Sequence, residues 1–455
     1  MVFPETTTVD AGAHAPENAD TERLRGKRVA VVVFSHYPSD PRPRRAAEVL
    51  VQLGMSVDVI CLRQNDREPR RESFKGASIL RIPLSHRRGG KLSYVFQYSA
   101  FIFLSFVLLA FRSFRRRYDL VHVHNMPDVL VFAALVPKAF GTKVILDLHD
   151  PMPELMMSIF GLSRENWRVR ALKWLEKCST RFADAVLTVN LACKKLFAPR
   201  SCAAEKVSVV MNSPDESIFK CQELAVGVST ERDPGKPFVI MYHGSLVERH
   251  GLDLAVRALG LVKGTVPRAE IRIYGRTTPF LEQVMHSVTN SDLRDSVHYL
   301  GPKDLEHIVE AIDECDVGII PNRRSIFTEI NTPTRIFEYL SRGKPVIAPD
   351  APGIRDYFGD QQLIFFELGD ANDLARKIEY AFLHPQEVGE IVRLGREVYI
   401  NHRWSNERAG FVRVVGELLN GGSRRNFVSA SPMTGVQTTS SELRPLVKDS
   451  DRSVS

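Results

Sequence analysis

The sequence predicts an α/β fold of two Rossmann-like domains, each a doubly wound parallel sheet, facing a central cleft. Three observations predict it. Short β-branched runs alternate with longer helical stretches, the pattern of parallel strands buried on both faces. The alternation stops once, in a polar irregular segment at 213–236 containing Pro214 and the turn pair Pro234-Gly235, and then begins again. The 455 residues, 44% of them hydrophobic, are also too many for one ordinary core and suit two.

The elements follow in order. Residues 1–25 are polar, lack periodicity and read as a disordered tail; without an apolar core and with several acids, they do not read as a signal peptide. RVAVVVFS (28–35), VDVICL (57–62), SILRIPL (78–84), LVHVH (120–124), KVILDLH (143–149), AVLTVN (185–190) and VSVVMN (207–212) read as strands of an N-terminal domain, 26–225. Helical stretches such as 43–53 and 164–182 separate them. FVIMYHG (238–244), EIRIYG (270–275), SVHYLG (296–301), VGIIP (317–321), PVIAP (345–349) and LIFFE (363–367) read as strands of a second domain, 226–403. WSNERAGFVRVVGELL opens a terminal helix at 404–420, and 421–455, rich in Ser, Thr and Arg, reads as a second disordered tail. In open sheets of this kind ligands bind at the carboxyl ends of the strands, which here face the cleft between domains.

A net charge of +7 suits anionic partners without choosing among them. The six cysteines are scattered and form no CxxC pair, which argues against a structural zinc site or disulfide framework and for a reducing compartment. No basic stretch is interleaved with aromatics, so no nucleic-acid partner is expected. FSHYPSDPR follows the first strand where a nicotinamide-binding G-x-G-x-x-G would stand, which excludes that redox class.

Residues 92–111 carry no charge for about 20 positions, which is transmembrane length. A single crossing would place strands 78–84 and 120–124 on opposite sides of a bilayer, so the parity is wrong for a span. Ser93, Gln97 and Ser105 form a weak polar stripe. Arg87, Arg88 and Lys91 precede the segment, and Arg112, Arg115, Arg116 and Arg117 follow it. The reading is an interfacial helix on an anionic membrane surface; the alternatives are a buried core helix and a true span.

The richest segment is NTPTRIFEYLSRGKPVIAPDAPGIRDYF, 331–358. Pro333 opens a helix and Gly343 closes it. A helix N-terminus at the cleft suits a diphosphate. Arg335 and Glu338 share a helix face, so one can meet phosphate and the other ribose hydroxyls; a surface ion pair uses the same spacing. Arg249 follows Gly244 and Ser245 in a loop before a helix, where a solvated helix-start charge is one reading. His149 ends a strand at the cleft and suits a sugar contact, or is a satisfied core histidine. His122 and His124 share one strand face; metal ligation is conceivable, and packing is favoured. Asp40, Arg42, Arg44 and Asp150 are placed on the acceptor side.

These residues resemble the nucleotide-sugar site of retaining glycosyltransferases of family 4, in the branch that reads P-x-K-x-F-E-Y-x-A-x-G-x-P-V-I-A. YHGSLVERHGLDLAVRAL (242–259), IYGRTTPFLEQV (273–284), VHYLGPKDLEHIVEAIDECDVGIIP (297–321) and SHYPSDPRPRRAAEVLVQLGMSVDVI (35–60) are similar to other units of that family in order, over roughly 27–420. The resemblance implies the GT-B arrangement, a terminal helix returning to the N-terminal domain, and sugar transfer with retention. It implies that Glu338 holds the ribose. It further implies a donor site of Gly244, Ser245, Arg249, Arg276, Asn331, Thr332, Thr334, Arg335 and Glu338, with His149, Arg249 and Arg335 at the chemistry. The first Glu of the family's E-x7-E motif falls at Ile330, Arg335 stands where the branch has Lys, and His250 stands at the common Lys position. No metal or other cofactor is expected. The expected partners are a nucleotide-sugar, a glycan or glycolipid acceptor and an anionic membrane surface, at the cytosolic face. A non-catalytic binding module and a sugar-nucleotide epimerase are the alternatives.

Overall fold

The computed structural model describes residues 22–65, 67–84, 91–222 and 235–420, the side chains of 91–94 excepted. Almost all of both expected tails, the basic pair Arg87 and Arg88, and the middle of the inter-domain segment with its boundary at 225/226 lie outside the described residues.

The first sheet has eight strands: β1 (Arg28–His36), β2 (Ser56–Leu62), β3 (Arg71–Phe74), β4 (Ala77–Ile82), β5 (Leu120–His124), β6 (Lys143–Leu148), β7 (Ala185–Thr188) and β8 (Val207–Val209). Their order is β3-β4-β2-β1-β5-β6-β7-β8. All pairings are parallel except β3 with β4, a hairpin whose two-residue turn carries Lys75 at φ 47° and Gly76 at φ 84°. Two positive φ values in succession make the turn type that matches strand twist. The sequence analysis passed over β3 because RESF is charged and exposed, as befits an edge strand. Five helices matter to this half: α1 (Pro41–Gln52), α2 (Lys91–Arg115), α3 (Met152–Phe160), α4 (Trp167–Phe182) and α5 (Leu191–Arg200).

The second sheet has six strands: β9 (Phe238–His243), β10 (Ala269–Tyr274), β11 (Val297–Gly301), β12 (Val317–Ile319), β13 (Val346–Asp350) and β14 (Ile364–Glu367), in the order β11-β10-β9-β12-β13-β14 and all parallel. Its helices include α6 (Leu252–Val262), α7 (Ile326–Ile330) and α8 (Thr334–Ser341). Gly318 on β12 lets α8 lie close, since a Cβ there would fall 2.4 Å from the Tyr339 ring. The terminal helix α9 (Trp404–Asn420) packs back on the first sheet, with Phe411, Val412 and Val415 in one core with Val31 and Leu50. The other face of that sheet is covered by α2 and its neighbours, through Phe101, Leu109, Leu130 and Phe197.

Helix α2 sits with the polarity of its faces reversed from the usual surface helix. Gln97, Ser105 and Ser113 are buried with Phe101 and Leu109 against the sheet. Val95, Phe103, Leu104, Val107 and Phe111 point outward, and Phe96 and Phe114 are each 72% exposed. A buried core helix is therefore excluded. The strands on either side of α2, β4 and β5, lie in the same sheet, so the chain between them does not change sides of a bilayer. Arg112, counted among the basic flank, turns inward instead. It pairs with Asp58 at 3.3 Å, where Arg28 and the Tyr118 hydroxyl also converge. Arg115, Arg116 and Arg117 are exposed.

A buried polar knot fixes α3 and α4. Arg200 bridges Glu154 on α3 at 2.6 Å and Glu176 on α4 at 2.5 Å. Asp128 is 3% exposed beside this knot and accepts from Asn125 Nδ2 at 3.0 Å. Burial pushes its carboxyl up to about 7 despite that hydrogen bond. Between about pH 4 and 7 the unfolded chain has released this proton and the folded chain keeps it, so stability falls as pH rises through that window. Asp128→Asn removes the titration; the variant is expected to lose less stability than wild type between pH 4.5 and 7.5 (roughly these limits, set by the two proton affinities), as read by urea unfolding at each pH.

Candidate active site

The C-terminal end of β9 starts the site. His243 is followed by Gly244, whose φ of +118° turns the chain away from the strand. Gly251 ends this loop at φ +65°; a Cβ there would stand 1.8 Å from the Pro321 carbonyl oxygen, so no side chain fits. The loop is stitched through the Ser245 carbonyl, which accepts from Tyr242 Oη at 2.8 Å and lies 2.9 Å from His250 Nδ1.

Helix α8 approaches this loop with Pro333 at its N-cap, and the residue after its C-cap, Gly343, has φ +68°. Arg335 Nη1 donates to the His243 carbonyl at 2.6 Å, and its guanidinium lies 4.9 Å from the centre of the Tyr242 ring. Glu338 Oε2 is 2.6 Å from His243 Nε2, and His243 Nδ1 is 2.9 Å from Tyr339 Oη. The Tyr339 hydroxyl also donates to the Met241 carbonyl at 3.0 Å. A hydroxyl has one proton, so His243 Nδ1 is the donor to it. His243 thus fixes the rotamer of Glu338. It escaped the sequence analysis although it carries the same signal as His149, a histidine at a strand's carboxyl end.

Arg249 lies on the far side of the loop, with its guanidinium carbon 5.7 Å from the centre of the Phe327 ring. Its Nε is buried without a hydrogen-bond partner. Burial draws the guanidinium below its ordinary value, against the opposing field of Asp150 from the N-terminal half. Arg249 and Arg335 share one neighbourhood. Burial, then the charge of Arg335, then that of Arg249 push the His250 imidazole down to about 4. At neutral pH that histidine is uncharged. Among the described residues, neither arginine has a carboxylate within ion-pair distance, so each is left able to take an anion.

Across from them, His149 and Asp150 end β6. Asn125 Oδ1 accepts from the His149 amide at 3.1 Å and the Asp150 amide at 3.4 Å, while its Nδ2 donates to the Asp150 carbonyl at 2.7 Å. Direct links join the halves below this point. Asn190 Nδ2 donates to the Ile330 carbonyl at 2.8 Å and to Thr332 Oγ1 at 3.0 Å, and the Leu191 amide donates to Tyr357 Oη at 2.8 Å.

Several candidates from the sequence already have partners within the chain. Asp40 caps α1, accepting from the Arg42 amide at 3.3 Å and Ser35 Oγ at 2.8 Å. Arg42 is bound through Nε and Nη2 to the Asp147 carboxylate and through Nη1 to Asn212 Oδ1. Arg44 pairs with Asp215 at 3.2 Å. Each is thus held by a carboxylate, an amide or a hydroxyl. Arg45, the residue after Arg44, senses both Asp215 and Glu338. Thr332 is taken up by Asn190 and by the Gly353 carbonyl. Arg276 is exposed after β10, and Asn331 and Thr334 flank the α8 N-terminus half-buried.

Beneath His149, His122, His124 and Asp147 bring one ligand atom each within 4.8 Å of one another, a grouping that could hold a metal ion. The four imidazole nitrogens have no hydrogen-bond partner. Burial and the neighbouring His122 hold His124 well below its ordinary value, so it is neutral. Burial alone would raise the Asp147 carboxyl; Arg42, with the two histidines, holds it well below the carboxylate range instead. Arg42 is the cation paired with Asp147 in this structure.

Residues 39–213 match the family described as a glycosyl transferase 4-like domain, and residues 237–383 match glycosyl transferases group 1. The amylovoran biosynthesis glycosyltransferase AmsK of Erwinia amylovora is 26% identical over 157 residues, 34% of this chain and 36% of that protein. The chain thus spans little more than a third of the length of the curated relatives it matches. Sucrose-phosphate synthase from Thermosynechococcus elongatus superposes with a TM-score of 0.67 at 16% identity, over 87% of this chain and 100% of that one. Anabaena Alr3699/HepE in complex with UDP-glucose superposes at 0.61 and 16%, over 86% and 99%. At these identities the two structures speak for the fold, a pair of α/β domains in the arrangement named GT-B.

The Arg42–Asp147 pair is buried, with Asp147 only 2% exposed. Arg42→Met leaves that carboxylate uncompensated and is expected to lower the unfolding free energy by about 3–5 kcal/mol in urea titration, with part of the loss recovered by adding Asp147→Asn.

Proposed function

The chain carries the paired domains of the GT-B glycosyltransferases, and from that premise we propose that it moves a sugar from a nucleotide-sugar donor to a glycan or glycolipid acceptor at an anionic membrane surface, with retention at the anomeric carbon. One observation carries the reading: Arg249 and Arg335, neither with a carboxylate within ion-pair distance among the described residues, both act on His250 in the loop after β9, Arg335 from the first turn of α8 and Arg249 within the field of Asp150 of the other half. The donor's diphosphate belongs on Arg249, Arg335 and the helix end, and its ribose on Glu338, held by His243. The complex of HepE with UDP-glucose supports a nucleotide-sugar as ligand of such a fold.

The chemistry follows from that placement. The bond between the anomeric carbon and the diphosphate oxygen breaks, and its electron pair leaves with the diphosphate. Charge grows on that oxygen in the transition state, where the two guanidiniums stabilise it without reorganising. The acceptor hydroxyl attacks the anomeric carbon from the same side and passes its proton to the departing diphosphate, which retains the configuration. His149 lies where it can contact the transferred sugar. With charge neutralisation assigned to arginines, chelation of divalent ions is expected to leave turnover in place.

The apolar outer face of α2 and exposed Arg115, Arg116 and Arg117 at its end support the membrane part of the reading, as a helix lying in the interface. A lipid-linked or polysaccharide acceptor fits that location, and polysaccharide assembly, the role named for AmsK, is the setting we assign, on the cytosolic leaflet.

Nucleoside diphosphate release by the purified protein tests the proposal, after a thermal-shift screen of UDP-, GDP- and ADP-sugars finds the donor. Arg249→Ala and Arg335→Ala are each expected to cut transfer by at least about tenfold with the circular dichroism spectrum unchanged. Unchanged turnover removes the arginine from the mechanism, and donor conversion that needs no acceptor points to an epimerase. Charge reversal of Arg115, Arg116 and Arg117 together is expected to weaken binding to anionic vesicles by at least roughly a hundredfold, counting about 1 kcal/mol for each of the three attractions lost. Equal binding by wild type and variant overturns the membrane reading.

A further inference from the structure

Helices α3 and α4 present a second apolar surface that the site does not use. On α4, Trp167 and Trp174 stand seven residues apart on one face and are 70% and 64% exposed. On α3, Ile159 and Phe160 are each 48% exposed. Between the two helices runs a groove of about 270 Å³ lined by Met156, Phe160, Leu162, Trp167 and Leu172. Indoles at the surface of a groove open to water are costly there and stable where one end is apolar and the other wet.

Two further observations say what covers this surface. The exposed charges around it are Arg164, Arg168, Arg170, Lys177 and Arg181, against one exposed acid, Glu165. That imbalance fits a negatively charged partner with an apolar interior. The surface also lies on the same side of the first sheet as α2: Phe101 and Leu109 of α2 and Phe182 of α4 pack on one core, and residues 128–134 are sandwiched between the two helices.

We propose that the α3–α4 edge is a second membrane-docking element, which inserts Trp167, Trp174 and Phe160 into the headgroup region of an anionic phospholipid leaflet. This rests on the membrane reading above and extends it. One helix on a membrane leaves the protein free to roll about that helix; a second contact removes that freedom. Helix α3 begins two residues after Asp150, and its eight-residue rise from Met152 to Phe160 is about 12 Å. The catalytic end of β6 therefore lies within roughly one short helix of the lipid surface, and the Arg200 bridges to Glu154 and Glu176 keep that distance fixed. The acceptor that suits this geometry is a lipid-linked saccharide whose reacting hydroxyl sits close to its lipid.

The chain supplies its own probe. It has three tryptophans, and the third, Trp404, packs on the opposite face of the sheet. Full-length Trp404→Phe protein, mixed with vesicles of equal parts phosphatidylcholine and phosphatidylglycerol whose acyl chains carry bromine, is expected to lose at least about half its emission. The Trp167→Phe, Trp174→Phe double variant, which keeps Trp404, is expected to keep its emission while still floating with the vesicles. Flotation of the Trp404→Phe protein without quenching overturns this inference and leaves the interfacial role of α2 standing. Failure to float overturns both.

Discussion

Parallel strand pairing is the constraint from which the rest follows. Each strand of a parallel sheet must be re-entered from the same end, so every loop that leaves a strand's carboxyl end gathers on one edge. The loops after β6 and β9 belong to different sheets, yet they face each other because Asn190, Leu191 and Ser158 on one half are hydrogen-bonded to Ile330, Tyr357 and Ser325 on the other. Helix α9 adds a return strap: Glu407 accepts from the Met211 amide at 2.8 Å while its apolar face fills the first core. Histidines, glycines and arginines that are far apart in sequence are thereby delivered to one gap; at Gly251 a Cβ would strike the Pro321 carbonyl, and at Gly244 the positive φ is what favours glycine.

The fold was legible almost strand by strand. Thirteen of the fourteen strands lie in runs that periodicity alone marks out, because strands buried on both faces must be apolar throughout. The exception, β3, is an edge strand whose charged residues meet solvent, so its signal is that of a loop. Helix α2 was located to within a few residues but its orientation was not legible. The polar stripe of Gln97 and Ser105 suggested a wet face, whereas those groups are the ones buried against the sheet. Periodicity reports that a helix has two faces; it does not report which face the rest of the chain covers.

The site was legible in part, for a similar reason. Arg249, Arg335, Glu338 and His149 stood out because each follows a strand end or a helix start that sequence can mark. Arg42 and Arg44 carry the same mark, and the difference is that Asp147 and Asp215 are waiting for them. Such partners stand more than a hundred residues away and only the folded sheet brings them near. His243 was overlooked within a run read as strand, although its hydrogen bond to Glu338 sets the geometry of the residue that the sequence did single out.

The arginines named above divide by whether a counter-ion is already present. Arg28, Arg42, Arg112 and Arg200 each end on a buried or half-buried carboxylate, and removal of either partner would strand a charge. Arg335 ends on a main-chain carbonyl and a tyrosine face, and Arg249 on a phenylalanine face with a bare Nε. Both guanidiniums have given up part of their water, and among the described residues the fold offers neither a carboxylate in return. A bound anion would restore the lost hydrogen bonds, which is why these two are the arginines on which the donor's diphosphate is proposed to sit.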